Sequence, residues 1–143
     1  MSDRLEQFFP FELAYLVGVE ILDRQHKEIV EQINEMYACV TNPAAPTRRL
    51  ELLTRLANLA YAHFATEEQI LRAHSFPAYL RHKATHEGFT RHLQEFRSKV
   101  ATGETGLTPQ YVELMKLWLV DHFTEWDQSY ANFLREPQPS TSP

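Results

Sequence analysis

The chain contains a single cysteine, no run of basic residues and no long apolar run. Because Cys39 has no second cysteine to pair with, an internal disulfide is excluded, which suits a reducing compartment. A formal net charge of -5 and the lack of a lysine or arginine cluster argue against nucleic acid as a partner. The first residues, MSDRLEQFFPFELAYLVGVE, are broken by Pro10 and Glu12 and predict neither an export signal nor a membrane span. We therefore expect a cytoplasmic protein that does not insert into membranes.

Glycine is scarce, and several prolines lie where one predicted helix ends or the next begins. The pattern predicts four helices at about residues 20–41, 47–75, 78–102 and 108–135. Thr108 followed by Pro109 is the strongest start signal, and Thr47 is the expected cap of the second helix. Short connections favour antiparallel neighbours, so the expected fold is all-α, an up-down-up-down four-helix bundle. We expect residues 1–18 to form an N-terminal arm, 19–135 the bundle and 136–143 a disordered tail.

Apolar residues and histidines recur at three- and four-residue steps along each predicted helix and mark the face that we expect to point inward. Helix by helix, these positions are Leu22, His26, Ile29, Ile33, Met36 and Val40; Leu53, Leu56, Ala60, His63, Glu67, Ile70 and Leu71; His82, His86, Phe89, Leu93, Phe96 and Val100; and Tyr111, Met115, Trp118, His122, Trp126, Ser129 and Phe133. Every predicted helix therefore carries at least one inward histidine.

Inward histidines on all four helices predict a shared metal site. A single buried histidine most often packs in the core and donates to a backbone carbonyl. Five in one core would each need a partner, because a buried polar group without one costs several kcal/mol. One metal centre would satisfy all of them, since neutral imidazole is a good ligand for iron, zinc or copper.

The spacing of some ionisable residues supports this convergence. His63 and Glu67 are four residues apart, as are His82 and His86, so each pair projects from one face of a helix. Glu68 lies about 100° further round the helix than Glu67 and is expected to be solvated.

Asp127 does not fit a regular helix, because it follows His122 by five residues. That offset is roughly 140° round the helix, so spacing alone predicts a solvated carboxylate. To join the other residues, Asp127 must reach across from a flank, or the helix must contain an extra-residue bulge of the kind found at functional sites.

Four short motifs, DRQH (23–26), HFATEE (63–68), HKATH (82–86) and HFTEWD (122–127), together resemble the ligand pattern of the hemerythrin family in its prokaryotic form, the bacteriohemerythrins. The resemblance covers the chain from about Val17 to Tyr130. It implies two non-haem iron ions bridged by an oxo or hydroxo group. The implied ligands are His82, His86 and His122 for one iron, His26 and His63 for the other, and Glu67 and Asp127 as bridges. An inward Asp127 then requires a distortion of the last helix after His122.

The resemblance also implies a function, reversible dioxygen binding for storage, delivery or scavenging, because the iron with two histidines keeps an open position. Phe64, Trp118, Leu119 and Phe123 neighbour the ligands and are candidates for a dry oxygen pocket, a position that ordinary core packing would explain equally well. Family members usually carry a tryptophan in the N-terminal arm, where this chain has Phe8, Phe9 and Phe11.

The alternatives are a di-iron redox enzyme acting on peroxide, nitric oxide or dioxygen, and an oxygen, redox or iron sensor. Di-iron oxidases typically use glutamate-rich sites with ExxH motifs, so a histidine-rich set favours binding over catalysis. A short tail without a signalling module favours a carrier over a sensor. We expect a monomer, with an oxygen-consuming protein as the recipient.

The remaining histidines, His74 and His92, are expected at the surface. Cys39 is expected to be a packed side chain, and Met36 and Met115 to fill the core.

Overall fold

The structure is a computed structural model that describes residues 7–42 and 48–135. A short 3₁₀ turn, Leu13–Tyr15, precedes α1 (Glu20–Val40), α2 (Arg49–Ala73) and α3 (Tyr79–Ala101). The fourth rod consists of α4 (Pro109–Asp121), one π-helical turn (His122–Trp126) and α5 (Asp127–Arg135). No strand occurs in these described ranges, and the predicted all-α four-helix bundle is confirmed. Thr47 and the predicted tail 136–143 lie outside the described residues.

Local signals explain where the helices begin and end. The Thr108 hydroxyl accepts a hydrogen bond from the backbone N–H of Tyr111 at 3.2 Å, and Pro109 occupies the first turn, as predicted. At the other end of the bundle, α2 stops at Ala73, and Ser75 adopts a left-handed conformation with φ of 55°. The chain can therefore reverse direction before α3.

The π-helical turn changes which residues of the last helix point inward. Its extra residue rotates everything after it by about 100° relative to a regular helix. The predicted inner face was therefore wrong at Ser129, which is exposed, and at Trp126, which is only half-buried, whereas Phe133 packs against buried residues as predicted. Asp127 and Tyr130 are buried instead.

The apolar core is divided into two clusters by a polar layer. Along α1, for example, His26 stands between Leu22 of the smaller cluster and Ile29 of the larger one. The same sequence of apolar, ionisable and apolar residues recurs on each of the four rods. The buried members of the smaller cluster are Val17, Leu22, Leu71, Phe76, Tyr130 and Ala131. Met36, Met115 and Cys39 are buried in the larger cluster, as predicted.

The described part of the N-terminal arm is fastened to the bundle. Phe9 is fully buried, and its backbone exchanges two hydrogen bonds of 2.8 Å with the side chain of Asn34. Phe8 stacks on Tyr37 with 3.8 Å between ring centroids. Gln128 donates to backbone carbonyls of the arm. Among the described helices, none is both long enough and apolar enough to cross a membrane.

Candidate metal centre

Five buried histidines and two buried carboxylates meet in the polar layer. Glu67 lies at its centre, and one oxygen, Oε1, is 2.7 Å from His82 Nε2 and 2.9 Å from His86 Nε2. The other oxygen, Oε2, is 3.2 Å from His63 Nε2. Glu67 therefore faces histidines of two helices, α2 and α3, with both oxygens engaged.

Asp127 completes the layer from the fourth rod. Its Oδ2 is 3.0 Å from His26 Nε2, and its Oδ1 is 3.2 Å from His82 Nε2 and 3.1 Å from His122 Nε2. The side chain is fully buried, so the solvated position inferred from spacing alone was wrong. The distortion that the family resemblance required is confirmed, because the π-helical turn spans His122–Trp126.

These side chains form two groups, each able to offer one ligand atom per residue within 4.8 Å of the others. One group comprises Glu67, His82, His86 and His122, and the second comprises His26, His63, Glu67 and Asp127. Glu67 belongs to both. Imidazole and carboxylate are ligands that iron, zinc and copper accept, so this part of the chain is suited to binding metal.

Several of the nitrogen and oxygen atoms that face the centre of the layer lack a hydrogen-bond partner and are suited to binding cations. His26 Nε2, His63 Nε2 and both oxygens of Asp127 are buried and make no hydrogen bond, although they lie close to atoms of opposite polarity. His86 Nε2 and His122 Nε2 face each other at 3.2 Å, so at most one of these two neutral rings can donate to the other. Buried polar atoms left this way are costly, and cations between them would satisfy the whole set.

Hydrogen bonds on the outer ring nitrogens orient three of the imidazoles. His26 Nδ1 donates to the carbonyl oxygen of Tyr15 at 2.9 Å, which connects the arm to the site. His63 Nδ1 donates to Gln25 Oε1 at 2.9 Å. Each bond leaves Nε2 free to face the centre, as a metal-binding histidine requires.

Glu68 is the third such partner, and the sequence prediction for it was wrong. His86 Nδ1 donates to Glu68 Oε2 at 2.8 Å, and the Glu68 side chain is 21% exposed rather than solvated. The 100° offset from Glu67 places it beside α3, where it reaches the outer edge of the His86 ring. The neighbouring helix, which spacing within α2 cannot reveal, decides its role.

The charges of the layer stabilise ionised carboxylates. Burial raises the pKa of Glu67, but interactions with the neighbouring imidazoles, first His63 and then His82 and His86, hold the pKa well below its ordinary value. Burial also raises the pKa of Asp127, and His122 outweighs this effect and lowers it. Both carboxylates are therefore negative at neutral pH.

The surroundings shift the pKa values of two of the histidines in opposite directions. Burial lowers the pKa of His82, but hydrogen bonds and the charges of Asp127 and Glu67 outweigh it and raise the pKa to about 9. For His63, burial prevails over the attraction of Glu67 and lowers the pKa. A cation entering the layer would thus displace protons from some imidazoles and find others already neutral.

Tyr130 is a site residue that the sequence reasoning missed. Its hydroxyl donates to Glu67 Oε2 at 2.6 Å from a fully buried position in the smaller cluster. Its position three residues after Asp127 was the available signal, since residues three apart share a helix face. Reading that signal required knowing that Asp127 points inward.

The four candidate pocket residues all lie near the layer. Phe64 stacks on His86 with 4.0 Å between ring centroids, and Phe123 stacks on His26 at 4.2 Å. Trp118 is half-buried and stacks on His122 with 4.8 Å between ring centroids. Leu119 is buried in the larger apolar cluster.

Two histidines remain outside the layer, as predicted. His74 is exposed at the end of α2, where its Nδ1 donates to the carbonyl oxygen of Ile70. His92 is exposed and lies beside Tyr111.

Comparison with known proteins places these features in a family context. The sequence profile of the Hemerythrin HHE cation binding domain matches residues 17–134. Bacteriohemerythrin of Stenotrophomonas maltophilia is 27% identical over 116 residues, which are 81% of this chain and 74% of that protein. Bacteriohemerythrin of Pseudomonas aeruginosa is 29% identical over 118 residues, 82% of this chain and 76% of that protein.

A myohemerythrin and a hemerythrin crystal structure are also similar to this chain. Myohemerythrin of Sipunculus nudus is 27% identical over 121 residues, 85% of this chain and 89% of that protein. The crystal structure of a wild-type hemerythrin superposes with a TM-score of 0.84 at 22% identity and covers 90% of this chain and 99% of that one. At that identity the superposition establishes the fold.

Proposed function

The chain belongs to the hemerythrin family, and from that premise we propose that it binds dioxygen reversibly at two non-haem iron ions bridged by an oxo or hydroxo group. In this proposal one iron is held by His82, His86 and His122, and the other by His26 and His63. Glu67, which belongs to both groups of ligands, and Asp127 would be the carboxylates shared by the two ions. The protein acts in the cytoplasm as a monomeric oxygen carrier, and an oxygen-consuming protein is its recipient.

The observation that carries the proposal is the unequal division of the histidines around Glu67. The group with imidazoles from α3 and the π-helical turn contains three of them, whereas the group with imidazoles from α1 and α2 contains two, together with Asp127 of α5. The iron held by fewer imidazoles keeps room for a small ligand. When bound, the iron pair supplies the electrons that hold dioxygen reversibly.

The protein's own contribution is to fix the imidazoles and keep water out. The Tyr15 carbonyl and Gln25 orient the two histidines of the more open group, so both present Nε2 inward. Phe123 covers the His26 ring and is fully buried. Such a dry surround disfavours loss of the bound gas as a reduced, protonated product.

On the more crowded side, Phe64 covers His86, and Leu119 is 1% exposed. We propose these two residues, with Trp118 and Phe123, as the walls of the oxygen pocket. The ligand set supports binding rather than turnover, because five imidazoles and two carboxylates differ from the glutamate-rich sites of oxygen-activating di-iron proteins.

The proposal is tested by repeated oxygenation of the reduced, iron-loaded protein. Air is added to the anaerobically reduced protein and removed again over several cycles while the visible spectrum is recorded. We expect an oxygen-dependent absorption band that returns in every cycle. Zinc-loaded protein is the matched control, because zinc fits the same ligands without redox chemistry and should show no band. Irreversible bleaching coupled to consumption of an added reductant would contradict carriage and indicate an enzyme.

A further inference from the structure

The outer ring nitrogens of the proposed ligands meet acceptors that differ in charge. In the group with two imidazoles, His26 donates to a backbone carbonyl and His63 donates to the side-chain amide of Gln25, and both acceptors are neutral. In the group with three imidazoles, His86 donates to the carboxylate of Glu68 at 2.8 Å. An anion therefore lies directly behind a ligand ring on one side of the polar layer, whereas the rings on the other side have neutral partners.

A chain of hydrogen bonds fixes the orientation of the Gln25 amide. The Thr66 hydroxyl donates to the carbonyl oxygen of Ala62 at 2.9 Å, so its oxygen is left to accept from Gln25 Nε2 at 3.3 Å. Gln25 Oε1 is then the atom that faces His63 Nδ1, and an amide oxygen can only accept. His63 therefore carries its proton on Nδ1 and keeps Nε2 for a cation, with an uncharged partner behind it.

Glu68 fixes the His86 ring in the same way, but with a charge. A carboxylate oxygen only accepts, so His86 Nδ1 carries the proton and Nε2 faces the layer. Phe64 stacks on the same ring with an angle of 10° between the planes, which restrains its rotation. A hydrogen bond to an ionised acceptor is stronger than one to a neutral acceptor. It draws the shared proton away from the ring and makes the imidazole a more basic metal ligand.

The two central carboxylates do not create this difference. Glu67 belongs to both groups of ligand atoms. Asp127 faces both as well, since its Oδ2 lies 3.0 Å from His26 Nε2 and its Oδ1 lies 3.1 Å from His122 Nε2. Glu68 instead lies behind one ring only, and its side chain is partly exposed at a groove between α2 and α3. Because solvent screens the charge there, its effect on a metal should be moderate.

From the contact between Glu68 and His86 and its neutral counterpart at Gln25, we propose that Glu68 is a positioning residue which, in the iron pair proposed above, makes the iron held by His86 the more easily oxidised. The carboxylate acts through the imidazole and stabilises the added positive charge of a ferric ion. In that step the ferrous ion loses one electron, which dioxygen accepts in the proposed function. The Nδ1 proton stays in the hydrogen bond, so no proton leaves the ring.

The redox potential of the iron pair tests this proposal without oxygen. Reduced, iron-loaded protein is oxidised stepwise at an electrode, which takes the electrons, while the visible spectrum is recorded. Glu68→Gln keeps an oxygen that can accept from His86 Nδ1 and removes the charge. We expect the preference for ferric over ferrous iron to fall about three- to tenfold in the first oxidation step, an upward shift of about 30 to 60 mV, and to fall less in the second step.

Two further variants sharpen the comparison. Gln25→Glu is the mirror variant, because it places a carboxylate behind His63, and it should lower the potential of the second oxidation step by about the same factor. Glu87→Gln is the matched control. Glu87 is exposed on α3 and lines the same groove as Glu68, and it makes no ion pair or hydrogen bond with a histidine in the described part of the chain. Its removal should change either step by less than about 1.5-fold.

Zinc-loaded protein gives a second readout that involves neither redox chemistry nor dioxygen. NMR of the imidazole N–H protons reports each hydrogen bond, because a proton shared with a carboxylate resonates at lower field than one shared with a neutral acceptor. In Glu68→Gln the His86 Nδ1 proton should move to higher field, while the Nδ1 protons of His26 and His63 keep their positions. An unmoved His86 proton would overturn the proposal.

An unchanged potential in a Glu68→Gln protein that retains its iron would also overturn it, as would a shift no larger than that of Glu87→Gln or one confined to the second step. Should Glu68→Gln lose its iron, Gln25→Glu decides the matter, because an unchanged second step in that variant contradicts the proposal. The expected shifts in a protein without a returning oxygen band would refute oxygen carriage and support the role of Glu68.

Discussion

The four helical rods contribute to two buried regions that differ in chemistry, the larger apolar cluster and the polar layer beside it. In the apolar cluster, Ile33, Leu53 and Leu93 are fully buried and need nothing beyond one another. In the polar layer, equally buried residues such as His26 and Asp127 hold atoms that make no hydrogen bond. The first region stabilises the fold by itself, while the second is complete only with cations. We therefore expect bound cations to add to the stability of the fold through the polar layer.

The largest effect should come from removing a proposed ligand. His122→Ala takes away an imidazole that lies 3.1 Å from Asp127, and we expect the variant to lose most of its iron, measured per chain after loading and desalting. His74→Ala is the matched control, because His74 is exposed on the end of α2 and should leave the iron content unchanged. Equal iron content in the two variants would refute the ligand assignment.

A cavity in the apolar cluster should lower the stability of the fold and leave the iron content unchanged. Leu53→Ala removes a fully buried side chain and should cost about 2 to 5 kcal/mol of unfolding free energy. Iron content should not change, and the loss measured by chemical denaturation should be similar with and without metal. A large drop in iron content would show that the two regions are not separable.

Tyr130→Phe tests the contact where the smaller apolar cluster meets the layer. It removes the hydrogen bond to Glu67 Oε2 and should destabilise the metal-free protein by about 1.5 to 3 kcal/mol, because the acceptor is a buried carboxylate. Urea denaturation of the metal-free form measures this. A fall of less than about half a kcal/mol would mean that Glu67 is held by its histidines alone.

Lowering the pH should weaken metal binding by the polar layer. The pKa of His82 is raised to about 9, so at neutral pH a metal must displace its proton. The apparent metal affinity should fall about tenfold for each pH unit below 9, with protons released on loading. In the metal-free protein the raised pKa stabilises the fold below the ordinary value of 6.5, and that contribution is lost as pH rises through about 9. Loading that releases no protons at pH 7 would contradict this assignment.

The comparison of the two regions also explains what the sequence could predict. The apolar face of α1 follows a regular period, and Leu22, His26, Ile29 and Met36 are all buried as predicted. The start of α4 at Thr108 and Pro109 followed from local chemistry alone. These features depend on neighbours along the chain, which a sequence displays directly.

The polar layer was less predictable because its geometry depends on one extra residue and on neighbouring helices. A regular period placed Asp127 outward and Ser129 inward, and the π-helical turn reversed both. Spacing alone left a bulge as one of two alternatives, and the family resemblance selected it. Tyr130 and Glu68 were missed for the same reason, since their roles are set by Glu67 and by the facing helix α3.

We propose that the imidazoles and carboxylates of the polar layer hold two iron ions. Diffraction from crystals of the iron-loaded protein, collected on both sides of the iron absorption edge, tests this most directly. We expect two anomalous peaks, one bordered by Nε2 of His82, His86 and His122 and one by Nε2 of His26 and His63, with Glu67 and Asp127 between them. An anomalous peak only at the surface, or none inside the layer of the loaded crystals, would contradict it.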